Sequence, residues 1–147
     1  MRRFGRDEAA QSLVEFALVL PVILLIITGI FDVGRAVWQE NTLAYAAREG
    51  TRYAIVNGSG CEPNPSCVVF PGNTQPVIDR VRAAAVGVPG VTVVVDWETV
   101  AGAKCYDRNC AVTVDATAPF VPIPPRYLLG STFQITLRGG SKLVIQR

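Results

Sequence analysis

The sequence contains no histidine. Histidine is the commonest general base in enzymes and the usual partner that activates a serine or cysteine nucleophile. Four acidic residues of the C-terminal part are explained by alternation along strands and exposure to solvent: Asp96, Glu98, Asp107 and Asp115. We therefore expect no enzymatic activity, no catalytic residue and no cofactor.

Strong net charge is also missing, since 14 basic residues stand against 12 acidic ones in a chain of 147. A nucleic-acid-binding domain usually shows a basic patch, and none is visible. No glycine-rich phosphate-binding loop is found, because Gly139-Gly140 is better explained as a turn. Nucleic acid is therefore not an expected partner.

One long hydrophobic run is present, QSLVEFALVLPVILLIITGIF, from Gln11 to Phe31. A helix needs about 20 apolar residues to span a bilayer, and the uncharged part from Phe16 to Phe31 has only 16. A span must therefore begin near Gln11 and include Glu15. A carboxylate inside the hydrocarbon edge suggests a function with a partner. The alternative is that Glu15 lies in the headgroup zone of a short, tilted anchor.

The flanking charges predict the topology. Three arginines lie among the first ten residues and the next basic residue is Arg35, so the positive-inside rule keeps the N-terminus in the cytoplasm. This gives a cytoplasmic leader at 1–10, a transmembrane segment at 11–31 and export of everything that follows. A cleaved secretory signal is the competing explanation. It is less favoured because the run continues into a helical pattern.

That pattern predicts an exported extension of the same helix at 32–56. Small or apolar residues recur at helical spacing on one face and polar residues fill the other. The first face comprises Val33, Val37, Ala44, Ala47, Thr51, Ala54 and Ile55, and the second comprises Gln39, Glu40, Arg48, Glu49 and Arg52. The whole helix would run from near Ala9 to Val56, with a bend at Pro21. Asn57-Gly58 would end it, which we prefer to an N-glycosylation site.

The remaining residues, 57–147, predict a small exported α+β domain with an antiparallel sheet. A short helix is expected at 76–87, because proline opens it and glycine closes it. A β-branched strand is expected at 91–100. A second strand follows from Cys110, with Val112, Val114 and Ala116 alternating with polar residues, and 101–110 would be the hairpin connection between the two strands.

The end of the chain leaves two possibilities open. Either two short strands flank residues 138–141, or the chain after Leu137 is one bulged strand. The proline-rich stretch 119–125 cannot donate enough backbone hydrogen bonds for a central strand, so it should lie at an edge or cross over.

The four cysteines fit an exported domain. Cys61 and Cys67 bracket a proline-rich loop, and Cys105 and Cys110 bracket the hairpin connection. Each pair would close a short ring in an oxidising compartment, so we favour disulfides with local pairing, although four cysteines allow three connectivities. Zinc is the rival explanation, but the spacings are wide and histidine is lacking. No metal site is expected.

A buried carboxylate on a membrane helix that continues into an exported helix suggests assembly. If many copies packed their apolar helices together, Glu15 could pair with a positive group of a neighbour, such as an N-terminal amine produced by a cut upstream. In a medium of low dielectric constant a matched pair is far better than a lone charge. Glu15 is thus a candidate for setting registry between subunits.

Two segments together resemble a known family. SLVEFALVLPVILLIITGIFDVGRA, followed by NTLAYAAREGTRYAI, is similar to the N-terminal signature of TadE-like proteins, the minor pilins or pseudopilins of Flp/Tad type IVc pili. The resemblance implies a pilin-like fold and a single-pass subunit of the bacterial inner membrane that helps to initiate or cap a pilus. Its partners would be other pilin subunits and a prepilin peptidase, which would cut between Ala10 and Gln11.

Two functions follow as hypotheses. The first is a pilin-like structural subunit, at the tip or in the filament, which depends on Glu15 and the packing face of the extension. The second is a membrane-tethered binding or adhesion module, in which the loop 58–76 and the hairpin 101–110 contact a surface and the helix is only an anchor.

Overall fold

The computed structural model describes residues 4–58, 68–105, 109–123 and 133–145, with side chains from Ala10 onward. The chain forms two compact units. One comprises Met1–Arg35 and Val121–Phe133, and the other comprises Ala36–Phe120 and Gln134–Arg147. A long N-terminal apolar helix followed by a small antiparallel sheet confirms the predicted α+β class.

Helix α1 extends from Phe4 to Asn57, so it begins earlier than predicted and ends one residue later. It continues through Pro21 without interruption. The Asn57-Gly58 pair ends it, as expected: the amide of Gly58 donates to the carbonyl of Ala54 at 2.8 Å, and the Asn57 side chain donates to the carbonyl of Tyr53 at 2.9 Å. These bonds satisfy carbonyls that the last turn leaves without helical partners.

Helix α2 extends from Gln75 to Ala84 and has Pro76 in its first turn, where proline is favoured. It ends before the predicted boundary at Gly87. Gly87 has a φ of +76°, and a Cβ at that position would lie 2.7 Å from the Trp38 ring. Gly87 therefore serves the turn after α2 and its close approach to α1.

The main sheet has three antiparallel strands, β1 (Thr92–Trp97), β4 (Ala111–Phe120) and β5 (Ile135–Val144), in the order β1-β4-β5. The strand predicted at 91–100 ends at Trp97. A separate hairpin follows, in which β2 (Thr99–Val100) pairs with β3 (Ala103–Lys104). The predicted connection 101–110 thus contains a strand of its own, because Ala101 and Gly102 both adopt positive φ and reverse the chain.

The predicted turn at Gly139-Gly140 is wrong. Both glycines lie inside the unbroken strand β5, with Gly139 opposite Ala116 and Gly140 opposite Asp115. The register is one to one throughout, so the single-strand alternative holds without its bulge. Gly139 is required by packing, since a Cβ there would collide with the α1 backbone at Leu43 and Ala44.

The proline-rich stretch 119–125 was expected at an edge or a crossing, but Pro119 and Phe120 end the central strand β4. Pro119 lies opposite Thr136 of β5. Strand β1 begins opposite Thr117, so it provides no partner on the other side of Pro119. A proline is tolerated where the neighbouring strand has already ended.

The core lies between α1, α2 and one face of the sheet. The alternation predicted for β4 is confirmed, because Val112, Val114, Ala116 and Ala118 are buried and the residues between them are less so. The face predicted for the helix extension is only partly right. Val33 and Val37 are exposed, whereas Gln39, expected on the polar face, is buried. The buried stripe instead contains Leu43, Ala46, Ala47, Gly50, Thr51 and Ala54.

Candidate functional site

The apolar part of α1 carries the first candidate site. All side chains from Ala10 to Leu25 are exposed in the structure, and α1 is long and apolar enough to cross a membrane. The window with this property is not buried inside the protein, as it would be in the core helix of a soluble domain. A single N-terminal helix of this kind is compatible with single-pass membrane anchoring.

Glu15 lies on this apolar surface. Gln11 precedes it by one helical turn, and the Gln11 side-chain amide donates to Oε1 of Glu15 at 3.3 Å. No basic side chain in the described part of the chain forms an ion pair with Glu15. The carboxylate therefore accepts its hydrogen bond from a neutral donor of its own helix.

The predicted cleavage site and the predicted bend both lie within α1. Ala10 and Gln11 are exposed and lie within continuous α1. Pro21 also lies within it, and the bend expected there stays a prediction. Thr28, in contrast, is satisfied locally, because its hydroxyl lies 2.9 Å and 3.0 Å from the carbonyl oxygens of Leu24 and Leu25.

A second polar site follows directly after the apolar run and was missed by the sequence analysis. Asp32 is only 6 % exposed, and its Oδ2 accepts a hydrogen bond from the backbone amide of Ile123 at 2.6 Å. One turn on, the Arg35 guanidinium donates to the carbonyl of Val121 at 2.6 Å. It also lies 3.3 Å from Oδ1 of Asp32. We call these two side chains and the segment 121–123 the clasp.

The clasp explains why an acid and a base stand three residues apart at this place. A backbone segment that leaves a sheet has amide and carbonyl groups that need hydrogen-bond partners. In the clasp the acidic side chain accepts from an amide of that segment and the basic side chain donates to one of its carbonyls. Hydrogen bonds to charged groups are stronger than those between neutral groups. The sequence FDVGRA shows an acid and a base three residues apart, but this spacing could not indicate that both bind a segment some 90 residues away.

Helix α1 is also joined to α2 by charge. Arg80 donates to Oε1 of Glu49 through Nη2 at 2.6 Å and through Nε at 3.1 Å. This hydrogen bond, with the positive charge of Arg80, lowers the pKa of Glu49 below its ordinary value, and the same bond raises the pKa of Arg80. The pair is a surface contact between α1 and α2.

The acidic residues of the sheet each have a partner of their own. Asp96 pairs with Lys104 at 2.6 Å, and the hydrogen bond from Lys104 lowers the pKa of Asp96. Glu98 accepts from the amide of Ala111 at 2.9 Å, and Asp115 pairs with Arg138 at 3.0 Å. Among the described residues no three metal-binding side chains cluster. These carboxylates are therefore spread among separate cross-strand contacts.

A disulfide joins Cys105 and Cys110, whose Cα atoms are 5.7 Å apart, a separation that suits such a bond. The amide of Cys105 donates to the carbonyl of Glu98 at 2.7 Å, and the carbonyl of Cys110 accepts from Ile145 at 2.9 Å. The disulfide thus lies between the β2–β3 hairpin and the end of the main sheet. Cys61 and Cys67, for which local pairing was predicted, lie outside the described residues.

Comparison with known proteins bears on the first helix. Residues 10–52 match the family model described as TadE-like protein. The α1 segment is TadE-like. The match includes Glu15 and the Asp32 and Arg35 side chains of the clasp, lies entirely within α1, and confirms the resemblance found in the sequence.

The remainder of the chain is not covered by this TadE-like match. No curated protein and no solved structure matches the chain.

Proposed function

We propose that this protein is a pilin-like structural subunit that acts in assembly of a Tad-type type IV pilus. We favour a role at the initiation or tip of the pilus over a role as the main subunit of the filament. In this proposal, residues 1–10 are a cytoplasmic leader and 11–31 span the inner membrane. Residues 32–56 extend the helix outside, and 57–147 form an exported domain. A prepilin peptidase would cut between Ala10 and Gln11.

The observation that carries the proposal is Glu15 in its surroundings. It is an exposed carboxylate on an apolar TadE-like helix, and the partner that the structure gives it is the neutral Gln11 amide. A charge in hydrocarbon is unfavourable without a counter-charge. A positive group of a neighbouring subunit, such as the amine freed at Gln11, supplies that charge only when subunits assemble. Glu15 would thus favour assembly at one registry over the dispersed state.

The test follows the protein from membranes into sheared pili. Intact mass and N-terminal sequence are measured in both fractions for the wild type, for Glu15→Gln and for Thr28→Ala. Glu15→Gln keeps the size and the hydrogen bond to Gln11 but removes the charge. Thr28→Ala removes a polar group that α1 already satisfies, so it is the matched control.

We expect the wild type and Thr28→Ala in the pilus fraction with a chain that begins at Gln11, and Glu15→Gln retained in the membrane. An uncut chain that stays in the membrane and tolerates Glu15→Gln would overturn the proposal. That outcome would favour the membrane-tethered binding module instead. Exchange of α1 residues 11–31 for an unrelated anchor would then preserve its function.

A further inference from the structure

The clasp brings a much later segment of the chain to the end of the apolar run. The amide of Ile123 donates to Oδ2 of Asp32 at 2.6 Å, and Asp32 directly follows Phe31, the last residue of that run. Side chains of a helix tilt toward its N-terminus, so the Asp32 carboxylate reaches back toward the run. Ile123 is therefore held within about one helical turn of its end.

In the proposed topology the hydrocarbon of the bilayer ends at this level. Residues 11–31 form the span, and Asp32 and Arg35 are the first charged residues after Glu15. A charged side chain is far less costly among lipid headgroups than in hydrocarbon. Asp32 and Arg35 therefore lie where the hydrocarbon meets the headgroups on the exported side, and the segment 121–123 lies there with them.

The backbone of this segment is suited to such a place. Pro122 has no amide. The Ile123 amide is bonded to Asp32, and the Val121 carbonyl accepts from Arg35. Backbone groups close to lipid need partners within the protein, because hydrocarbon offers none. The clasp thus provides hydrogen bonds that water provides to an ordinary surface loop.

The segment also presents an apolar side chain, since Ile123 is 38 % exposed. A single exposed isoleucine is ordinary on a protein surface, so its exposure by itself indicates nothing. Its level is informative, because Ile30 and Phe31 in the last turn of the run are 68 % and 71 % exposed. Exposed apolar side chains from two parts of the chain thus stand beside a charged pair. Groups that lie in a membrane interface combine apolar and charged surface in this way.

We propose that the segment 121–123 rests on the bilayer surface on the exported side, held there by the clasp, with the Ile123 side chain inserted among the lipid headgroups. The partner is lipid, because this surface continues directly from the membrane span. The inference rests on the proposed function, since it requires that residues 11–31 cross the membrane. It gives the chain a second membrane contact, which keeps α1 from sinking deeper into the bilayer.

Site-directed fluorescence in the full-length protein tests this contact. Ile123→Cys, Ile27→Cys and Val94→Cys are each labelled with the dye NBD and reconstituted at low density in vesicles of phosphatidylethanolamine and phosphatidylglycerol. Quenching by a lipid with a nitroxide near its headgroup reports contact with lipid, and quenching by iodide, present on both sides, reports contact with water. Ile27 lies in the span, and Val94, an exposed valine of β1, controls for adsorption of the sheet. Wild type treated with the dye controls for the native cysteines.

We expect the nitroxide lipid to quench the Ile123 probe about threefold more than the Val94 probe, and iodide to quench it about threefold less. Lipid quenching at Ile27 but not at Ile123 would overturn the inference and leave the proposed function standing. A probe at Ile123 that is shielded from both quenchers is covered by protein, which also contradicts the lipid contact. An Ile27 probe in water would overturn the proposed span, and the contact with it.

Breaking the clasp supplies the second readout. Asp32→Ala removes the acceptor of the Ile123 amide, and we expect lipid quenching of the Ile123 probe to fall toward the value at Val94. Asp32→Asn keeps a side-chain oxygen and should retain most of the quenching. The Ile27 probe with Asp32→Ala shows whether the span has kept its depth. Full lipid quenching at Ile123 in Asp32→Ala, with Ile27 unchanged, would show that the clasp does not hold the segment on the bilayer.

Discussion

Gly139 of β5 lies directly against the backbone of α1 at Ala44. Its neighbour Gly140 faces the other side of the sheet, where a Cβ would meet only the carboxylate end of Asp115, at 2.7 Å. Two adjacent glycines thus have different surroundings: helix backbone cannot yield, whereas the end of a half-buried side chain can.

We therefore expect Gly139→Ala to reduce the free energy of unfolding by about 3 kcal/mol, at the upper end for overpacking. Gly140→Ala should change it by less than about 1 kcal/mol, because Asp115 can turn aside. Urea denaturation of the full chain in detergent, followed by tryptophan fluorescence, measures both. Equal losses for the two variants would mean that α1 and β5 are not in backbone contact at Gly139.

The clasp gives a second prediction. Asp32→Ala leaves the Ile123 amide without its acceptor, and we expect it to destabilise the segment by about 1–3 kcal/mol. The change should appear as faster hydrogen exchange at Ile123. Asp32→Asn, which keeps a side-chain oxygen, should retain most of the protection. Gln75→Ala removes an exposed side chain that bonds to Asp79 in its own helix, and should leave Ile123 unaffected. Unchanged exchange in Asp32→Ala would contradict the clasp.

The Glu49–Arg80 pair predicts a pH dependence. Arg80 holds the pKa of Glu49 below its ordinary value of 4.5, so the folded state binds the proton more weakly than the unfolded state. The stabilisation is then present above about pH 4.5 and is lost as the pH falls through the lowered pKa. The difference in urea midpoint between wild type and Glu49→Gln should shrink as the pH is lowered from 7 to about 3. In an Arg80→Gln background, Glu49→Gln should give a smaller pH-dependent difference, because only the charge of Arg52 then lowers the pKa of Glu49.

The β2–β3 turn offers a stabilising substitution. Ala101 has a φ of +51° and Gly102 of +85°, the conformation in which Asn-Gly is favoured and alanine is strained. Ala101→Asn should stabilise the hairpin by about 0.5–1 kcal/mol, seen as slower exchange of the Cys105 amide that bonds to Glu98. Gly102→Ala should have the opposite effect. Faster exchange in Ala101→Asn would show that the turn is of another type.

Local patterns predicted much of this fold because they act over a few residues. The apolar run, the helix-ending Asn57-Gly58 and the alternation of β4 each depend on neighbours in sequence. Glycine is ambiguous at this level, since the same residue serves a turn at Gly102 and a close approach at Gly139. Only the partner in space distinguishes these roles, and for Gly139 that partner is almost one hundred residues away.

The candidate site divides in the same way. Glu15 could be found from the sequence, because a carboxylate within an apolar run is anomalous wherever the rest of the chain goes. The clasp could not, since Asp32 and Arg35 acquire a role only when the chain after β4 returns to them. The exposed side of the extension was also decided by tertiary structure, which buries Gln39 and leaves Val33 and Val37 uncovered. The sequence by itself determined an apolar helix that contains one carboxylate, Glu15, because the composition of a segment sets its free energy of burial in lipid. Packing decided which faces of that helix remain available to another molecule, because the sheet and α2 occupy the rest.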